Sequence, residues 1–269
     1  MSDKLRLDTA LFERGYADSR EKAKALIMSG CVYVNNMKEL KGGFQIKSED
    51  IIEVRGSGIP YVSRGGLKLE KAMKSFPIIL DNCICMDIGA STGGFTDCML
   101  QNGAAKVYSI DVGYGQLAWK LRTDPRVVNL ERTNFRYVTN EQIHETIDFS
   151  SVDVSFISLK KIIPVMRKLL KDNGESVCLI KPQFEAGREN IGKKGVVKDI
   201  NVHIDVLEDL TQFAVDSGFD LLGVDYSPVK GPEGNIEYLM YIKKSDNPSV
   251  MFDFSAQELA EESHTSLDK

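Results

Sequence analysis

From Cys83 onward, short apolar runs alternate with amphipathic segments, and this rhythm constrains the fold more than any other feature of the chain. The pattern predicts strands over 83–88, 106–112, 127–130, 152–154 and 176–180, and helices over 94–102, 116–122, 159–171 and 202–217. Strands that alternate with helices pack as an open α/β sheet, because each helix returns the chain across one face. Two further strands, 219–227 and 236–243, flank a turn rich in Pro and Gly and suit an antiparallel pair.

Residues 1–58 read differently, as a small α+β unit. A helix over 8–15 is closed by Gly15, and Ala17-Asp18-Ser19-Arg20 opens a second, with Asp18 or Ser19 as its cap and Gly30 as its stop. Val32-Tyr33-Val34, the turn Asn35-Asn36 and a strand over 50–54 follow. Arg6, Arg20, Lys22 and Lys24 lie on or beside the two helices, a pattern that fits nucleic acid and a solvated face alike. Arg55-Gly56-Ser57-Gly58-Ile59-Pro60 has linker composition. The expected order is therefore a domain over 1–58, a linker over 59–64, a domain over 65–244 and an acidic tail over 245–269, mobile or at most a short helix over 255–262.

Composition excludes several classes. The five cysteines are odd in number and form no C-x-x-C pair, and the three histidines are widely spaced. Neither a disulfide framework nor a metal site is expected, and a reducing cytoplasm is. No apolar run approaches a membrane span, and the first residues have no signal-peptide core. The formal charge of −5 resides in the tail, with six acids and one base after Lys244, so the rest of the chain is electrically balanced.

The chemistry gathers at strand ends. Met86-Asp87-Ile88-Gly89-Ala90-Ser91-Thr92-Gly93-Gly94-Phe95 joins a buried strand to a helix through glycines, which let backbone approach a ligand closely. The next strand ends at Asp111, where α/β cofactor folds place the carboxylate that accepts ribose hydroxyls. Lys68, Asp153, Lys181 and Glu237 are four charges at or near strands. Two lysines and two acids in one site supply a general base or an oxyanion clamp, and adjacent cations lower each other's pKa. A glycine-containing basic loop over 188–198, with Lys193 and Lys194, suits phosphate contacts as well as plain solvation.

These runs carry a family resemblance. They are continued by Asp111-Val112-Gly113-Tyr114-Gly115-Gln116-Leu117-Ala118, Glu131-Arg132-Thr133-Asn134 and Asp153-Val154-Ser155-Phe156-Ile157-Ser158-Leu159. Lys181-Pro182-Gln183-Phe184-Glu185, Gly195-Val196-Val197 and Gly231-Pro232-Glu233-Gly234-Asn235-Ile236-Glu237 complete the set. With Ser19-Arg20 through Val34-Asn35, the chain resembles the TlyA family over residues 4–243. The resemblance implies an S-four-type RNA-binding domain before an FtsJ-like, Rossmann-like methyltransferase domain. It also implies S-adenosyl-L-methionine as cofactor and 2′-O-methylation of cytidine in 23S rRNA, for some members also 16S rRNA. The implied partner is ribosomal RNA in the 50S subunit, with the 30S subunit as a further candidate, and neither membrane nor metal. Its catalytic tetrad maps onto Lys68, Asp153, Lys181 and Glu237. The cofactor set maps onto Asp87, Gly89, Ala90, Ser91, Gly93, Gly94, Asp111 and Asn134. Arg6, Arg20, Lys22, Lys24, Lys193 and Lys194 are the expected RNA contacts. One departure is Tyr61 in Ile59-Pro60-Tyr61-Val62, where the family often carries tryptophan. The competing readings are a non-catalytic RNA-binding factor and a pore-forming haemolysin.

Overall fold

The computed structural model describes residues 4–17, 19–54 and 59–267. The chain divides into two compact units, Met1–Arg64 and Gly65–Lys269.

In the first unit, β1 (Leu5–Arg6) leads into α1 (Leu7–Glu13), followed by α2 (Arg20–Met28), β2 (Val32–Val34), β3 (Met37–Lys38), β4 (Gln45–Ile46) and β5 (Ile52–Val54). Ser19 caps α2 by accepting the Lys22 amide at 3.2 Å, while Asp18 and linker residues 55–58 fall outside the described residues. Asn35 and Asn36 both take positive φ, 50° and 65°, which lets β2 turn directly into β3. Leu7, Leu11, Ile27, Val32, Ile46 and Ile52 form the core beneath the helices. The pairing of β1 with β4 is not legible in sequence, since two-residue strands carry no alternation.

The second unit opens with α3 (Gly65–Ser75), a helix absent from the sequence-based expectation, with Leu69 and Ala72 buried along it. It continues through β6 (Ile84–Ile88), α4 (Gly94–Gln101), β7 (Lys106–Ile110), α5 (Trp119–Arg122) and β8 (Val127–Leu130). Then come β9 (Ile147–Val152), α6 (Ile163–Leu169), β10 (Leu170–Ile180), α7 (Pro182–Glu185), α8 (Ile200–Asp216), β11 (Phe219–Tyr226), β12 (Tyr238–Lys244) and α9 (Ala256–Leu267). Among the described residues the sheet has the order β11-β12-β10-β9-β6-β7-β8, with only β12 antiparallel to its neighbours. From β6 the chain first winds one way through β7 and β8, then the other way through β9 and β10. The crevice beyond the carboxyl ends of β6 and β9 is therefore the topological switch point, where open α/β sheets bind ligands.

Four boundaries differ from expectation for identifiable reasons. β9 begins five residues before 152 because it buries Ser150 and Ser151, whose hydroxyls bond Ser176 and Asp87 at 2.8 and 3.2 Å and hide the strand's apolar signal. The helix expected over 159–171 is a 3₁₀ turn at Leu159–Lys161 followed by α6, which has Pro164 in its first turn, where proline is well suited. β12 begins at Tyr238, leaving Glu237 just before the strand rather than inside it. The tail forms the full helix α9, with Ala256, Ala260 and Ser263 buried against the body and Ser263 Oγ 3.1 Å from the Tyr238 hydroxyl.

Candidate active site

The loop after β6 exists because two of its positions exclude a side chain. Gly89 has φ +89°, and a Cβ there would lie 2.5 Å from the backbone oxygen of Asp153. Gly93 has φ +94°, and a Cβ there would lie 2.3 Å from Leu121 Cδ1. The β6 and β9 ends thus run edge to edge, and the loop lies flat against α5 before Gly94 starts α4. Asp111 braces this cradle from the end of β7: Oδ2 accepts the Ser91 amide at 2.8 Å and Oδ1 the Gly113 amide at 2.6 Å. An ionised carboxylate has about four lone-pair sites, so capacity remains for a ribose diol. The glycine cradle and this half-used acceptor fit an adenosine cofactor. Ala90, buried, and Ser91, exposed, lie in the same loop.

Asp87 and Asn134, the other two residues expected at the cofactor, each make hydrogen bonds within the fold. The Asp87 carboxylate is fully enclosed and accepts the Thr96 amide at 2.9 Å, the Thr96 hydroxyl at 2.7 Å and the Ser151 hydroxyl at 3.2 Å. It pins the start of α4 from below. Burial pushes it up to about 7, against the opposing pull of those hydrogen bonds. Asn134 caps a short turn by accepting the Arg136 amide at 3.2 Å.

The four charged residues come together from four different elements. Lys68 rises from α3, Asp153 follows β9, Lys181 follows β10 and Glu237 precedes β12. Lys181 Nζ lies 2.5 Å from Asp153 Oδ1, Asp153 Oδ2 lies 3.5 Å from Lys68 Nζ, and Lys68 Nζ lies 2.7 Å from Glu237 Oε2. Lys181 Nζ also donates to Ser155 Oγ at 3.1 Å. Lys68, Lys181 and Glu237 are each less than a tenth exposed. Burial alone would lower the Lys68 pKa, but the Asp153 and Glu237 carboxylates outweigh it and the net shift is upward. The expected mutual lowering between lysines therefore fails at Lys68, which stays a cation. Asp153 is conversely held below the usual carboxylate range by Lys68 and Lys181, in spite of its burial.

Three further residues belong to the site without having been anticipated. Gln183 donates to Glu237 Oε1 at 3.4 Å. Gly231 lies so close to Glu237 that a Cβ would sit 2.1 Å from Oε1. Phe156 is 90% exposed, has φ +63° and leans on Phe184 at 5.0 Å between ring centroids, while Lys181 Nζ lies 5.8 Å from the Phe184 centroid. A bulky residue in left-handed conformation, solvent-facing beside a cluster of charges, is itself a functional signal. Spacing alone could have found none of the three.

The basic residues fall in separate places. In the first unit Asp8, fully buried, accepts the Arg6 fork at 3.0 and 2.8 Å and lies 3.8 Å from Arg20. Those hydrogen bonds hold its pKa down to about 2. Arg6, Arg20, Lys22 and Lys24 are all exposed there. Lys193 and Lys194 are exposed on the loop of the second unit, where Asn235 anchors the backbone by accepting the Val197 amide at 3.1 Å and donating to the Gly195 carbonyl at 2.9 Å. Among the described residues no helix is long and apolar enough to cross a membrane, and no group of three or more His, Cys, Asp or Glu is placed to hold a metal ion.

Comparison with known proteins agrees with this architecture. The FtsJ-like methyltransferase profile matches residues 61–244 and the S4 domain profile residues 5–52. The chain is 53% identical over 242 residues to YqxC of Bacillus subtilis, a candidate rRNA methyltransferase, covering 90% of this chain and 86% of that one. It is 38% identical over 268 residues to the 16S/23S rRNA (cytidine-2′-O)-methyltransferase TlyA of Mycobacterium tuberculosis, covering 99% and 98%. A solved structure of a candidate hemolysin from Streptococcus thermophilus superposes with a TM-score of 0.80 at 45% identity, covering 100% and 98%. With matches along the whole chain and both domains in the same order, the protein belongs to the TlyA family of S-adenosylmethionine-dependent methyltransferases, an S4 domain followed by an FtsJ-like catalytic domain.

Proposed function

We propose that the protein methylates the ribose 2′-hydroxyl of a cytidine in ribosomal RNA, with 23S rRNA in the 50S subunit as principal substrate and 16S rRNA in the 30S subunit as a second. The observation that carries this reading is the unbroken chain Lys181–Asp153–Lys68–Glu237, with links of 2.5, 3.5 and 2.7 Å, beside the glycine cradle. The curated names of the relatives from M. tuberculosis and Campylobacter jejuni support the nucleotide and the atom.

Residues 89–94 with Asp111 hold S-adenosylmethionine, and Asp87 secures the helix start behind it. When bound, that cofactor supplies a methyl group on a sulfonium, already a good electrophile. What remains for the protein is positioning, worth on the order of 7–11 kcal/mol at best. As a neutral amine, Lys181 orients the 2′-hydroxyl and takes its proton, becoming the ammonium, while Asp153 fixes that nitrogen through Oδ1. Lys68, kept charged by its two carboxylates, steadies the developing oxyanion. Phe156 offers an exposed ring on which a base drawn out of its stack can rest, offsetting part of an extrusion cost of a few kcal/mol. Arg6, Arg20, Lys22 and Lys24 grip folded RNA by phosphate and shape contacts, and Lys193 and Lys194 add grip on the catalytic unit. A ribosomal substrate places this work in the cytoplasm.

The test is transfer of labelled methyl from S-adenosylmethionine to unmodified 50S and 30S subunits, by wild type and Lys181→Ala in parallel, with the modified nucleotide mapped. Label at a cytidine ribose that disappears in the variant, while cofactor binding is retained, is the expected result. Retained transfer by Lys181→Ala removes its role as base. No transfer by wild type leaves an RNA-binding factor as the better reading.

A further inference from the structure

We propose that Gln183 is a positioning residue of this site, closing the linear chain of four charges into a ring. The inference rests on the catalytic reading of Lys181, Asp153, Lys68 and Glu237 above. Gln183 lies two residues beyond Lys181, in α7, and is 8% exposed. Its Nε2 donates to Glu237 Oε1 at 3.4 Å, and the assignment of nitrogen to that end follows because a carboxylate only accepts. Glu237 is fully buried, with its other oxygen on Lys68 at 2.7 Å. The links therefore run from Lys181 through Asp153, Lys68 and Glu237 to Gln183, then back along two peptide units to Lys181. In an open chain the Glu237 end could rotate about its one bond to Lys68. The ring fixes the Lys68 ammonium relative to the Lys181 amine.

The opposite end of the same amide points to function rather than stability. Gln183 Oε1 is buried and accepts no hydrogen bond. A buried acceptor without a donor is uncommon because it has lost water and gained nothing. Methionine has the same length and no such cost, so a residue kept purely for packing would be served better by it. Gln183 keeps an unsatisfied oxygen in order to hold an amide nitrogen against Glu237.

The experiment compares wild type, Gln183→Met, Gln183→Glu and Lys181→Ala as full chains on unmodified 50S subunits. Gln183→Met should lower kcat by about 10- to 100-fold, with KM for subunits and Kd for S-adenosylmethionine within about twofold, and with a melting temperature equal to or above wild type. In Gln183→Glu a protonated carboxyl can donate to Glu237 as the amide does. Its activity relative to wild type should be highest at acidic pH and fall as the introduced carboxyl ionises and can no longer donate to Glu237. A kcat for Gln183→Met within about twofold of wild type overturns the positioning role alone. A melting temperature and cofactor affinity that fall together with kcat make Gln183 structural and overturn it too, as does a flat pH ratio for Gln183→Glu. Absence of transfer by wild type, or full transfer by Lys181→Ala, overturns the catalytic reading beneath it.

Discussion

Replacing Gly231 by alanine should disable catalysis through a side chain that never meets a substrate. An ideal Cβ at position 231 falls 2.1 Å from Glu237 Oε1 and 2.6 Å from its Cδ. Carbon and oxygen approach no closer than about 3.3 Å even in favourable C–H···O contacts, so the carboxylate must retreat by roughly 1 Å. Glu237 is fully buried, and the next residue, Tyr238, is locked into β12 against Ile180 and Tyr226. The movement is therefore taken up at the carboxylate's two side-chain bonds, Oε1 to Gln183 at 3.4 Å and Oε2 to Lys68 at 2.7 Å, and both pass beyond hydrogen-bonding range. A hydrogen bond to a charged group is worth about 1.5–3 kcal/mol, and a misplacement of about 1 Å near the chemistry costs about 100-fold in rate. At about 1.4 kcal/mol per tenfold the two figures agree. The assay is single-turnover methyl transfer to 50S subunits, with calorimetric S-adenosylmethionine binding and a thermal melt alongside. The expected outcome is a rate lower by about two orders of magnitude with cofactor affinity unchanged. A rate within about threefold of wild type would refute the reasoning, since it would mean that Glu237 moves freely or that its bond to Lys68 is immaterial. Gly234 offers a contrast: a Cβ there meets nothing within 4 Å, so Gly234→Ala tests only the strain of φ +93°.

Two other outcomes are expected. Asp87 is raised to about 7 in the folded protein by burial, so it favours folding while protonated. Its contribution is complete below its unfolded pKa of about 4 and is lost as pH rises through about 7. Between pH 5 and pH 8 the catalytic unit should therefore lose on the order of 2–3 kcal/mol through this group, and denaturant titrations should show Asp87→Asn markedly flatter over the same interval. Charge reversal at Arg20, exposed on the first unit beside Asp8, should weaken RNA binding and reduce the slope of log K against log salt by about one or more. Calorimetric S-adenosylmethionine affinity should be unmoved by the same change, and a matched loss of both would contradict a phosphate role for Arg20.

The sequence by itself determined the layer architecture and the chemical inventory. Strand and helix periods are local properties, so β6, β7, β8 and the β11–β12 pair were legible from apolar spacing. Gly89 and Gly93 announced a loop that only glycine can build, and Asp111 followed at the interval the fold requires. Asp153, Lys181 and Glu237 were visible because a charge bordering a buried run is conspicuous, whereas Lys68 lies on α3, a helix the apolar spacing did not announce. The β9 strand was not, since Ser150 and Ser151 satisfy their hydroxyls only through partners remote in sequence. Nor was the folding of the acidic tail into α9, whose buried face depends on a surface supplied by α8 and β11. Tertiary structure alone decided that Asp87 faces inward, that Lys68 stays charged, and that Gln183 and Gly231 belong with Glu237. Each of these depends on what lies a few ångströms away across the fold, and a one-dimensional pattern carries no information about which segments a sheet will bring side by side.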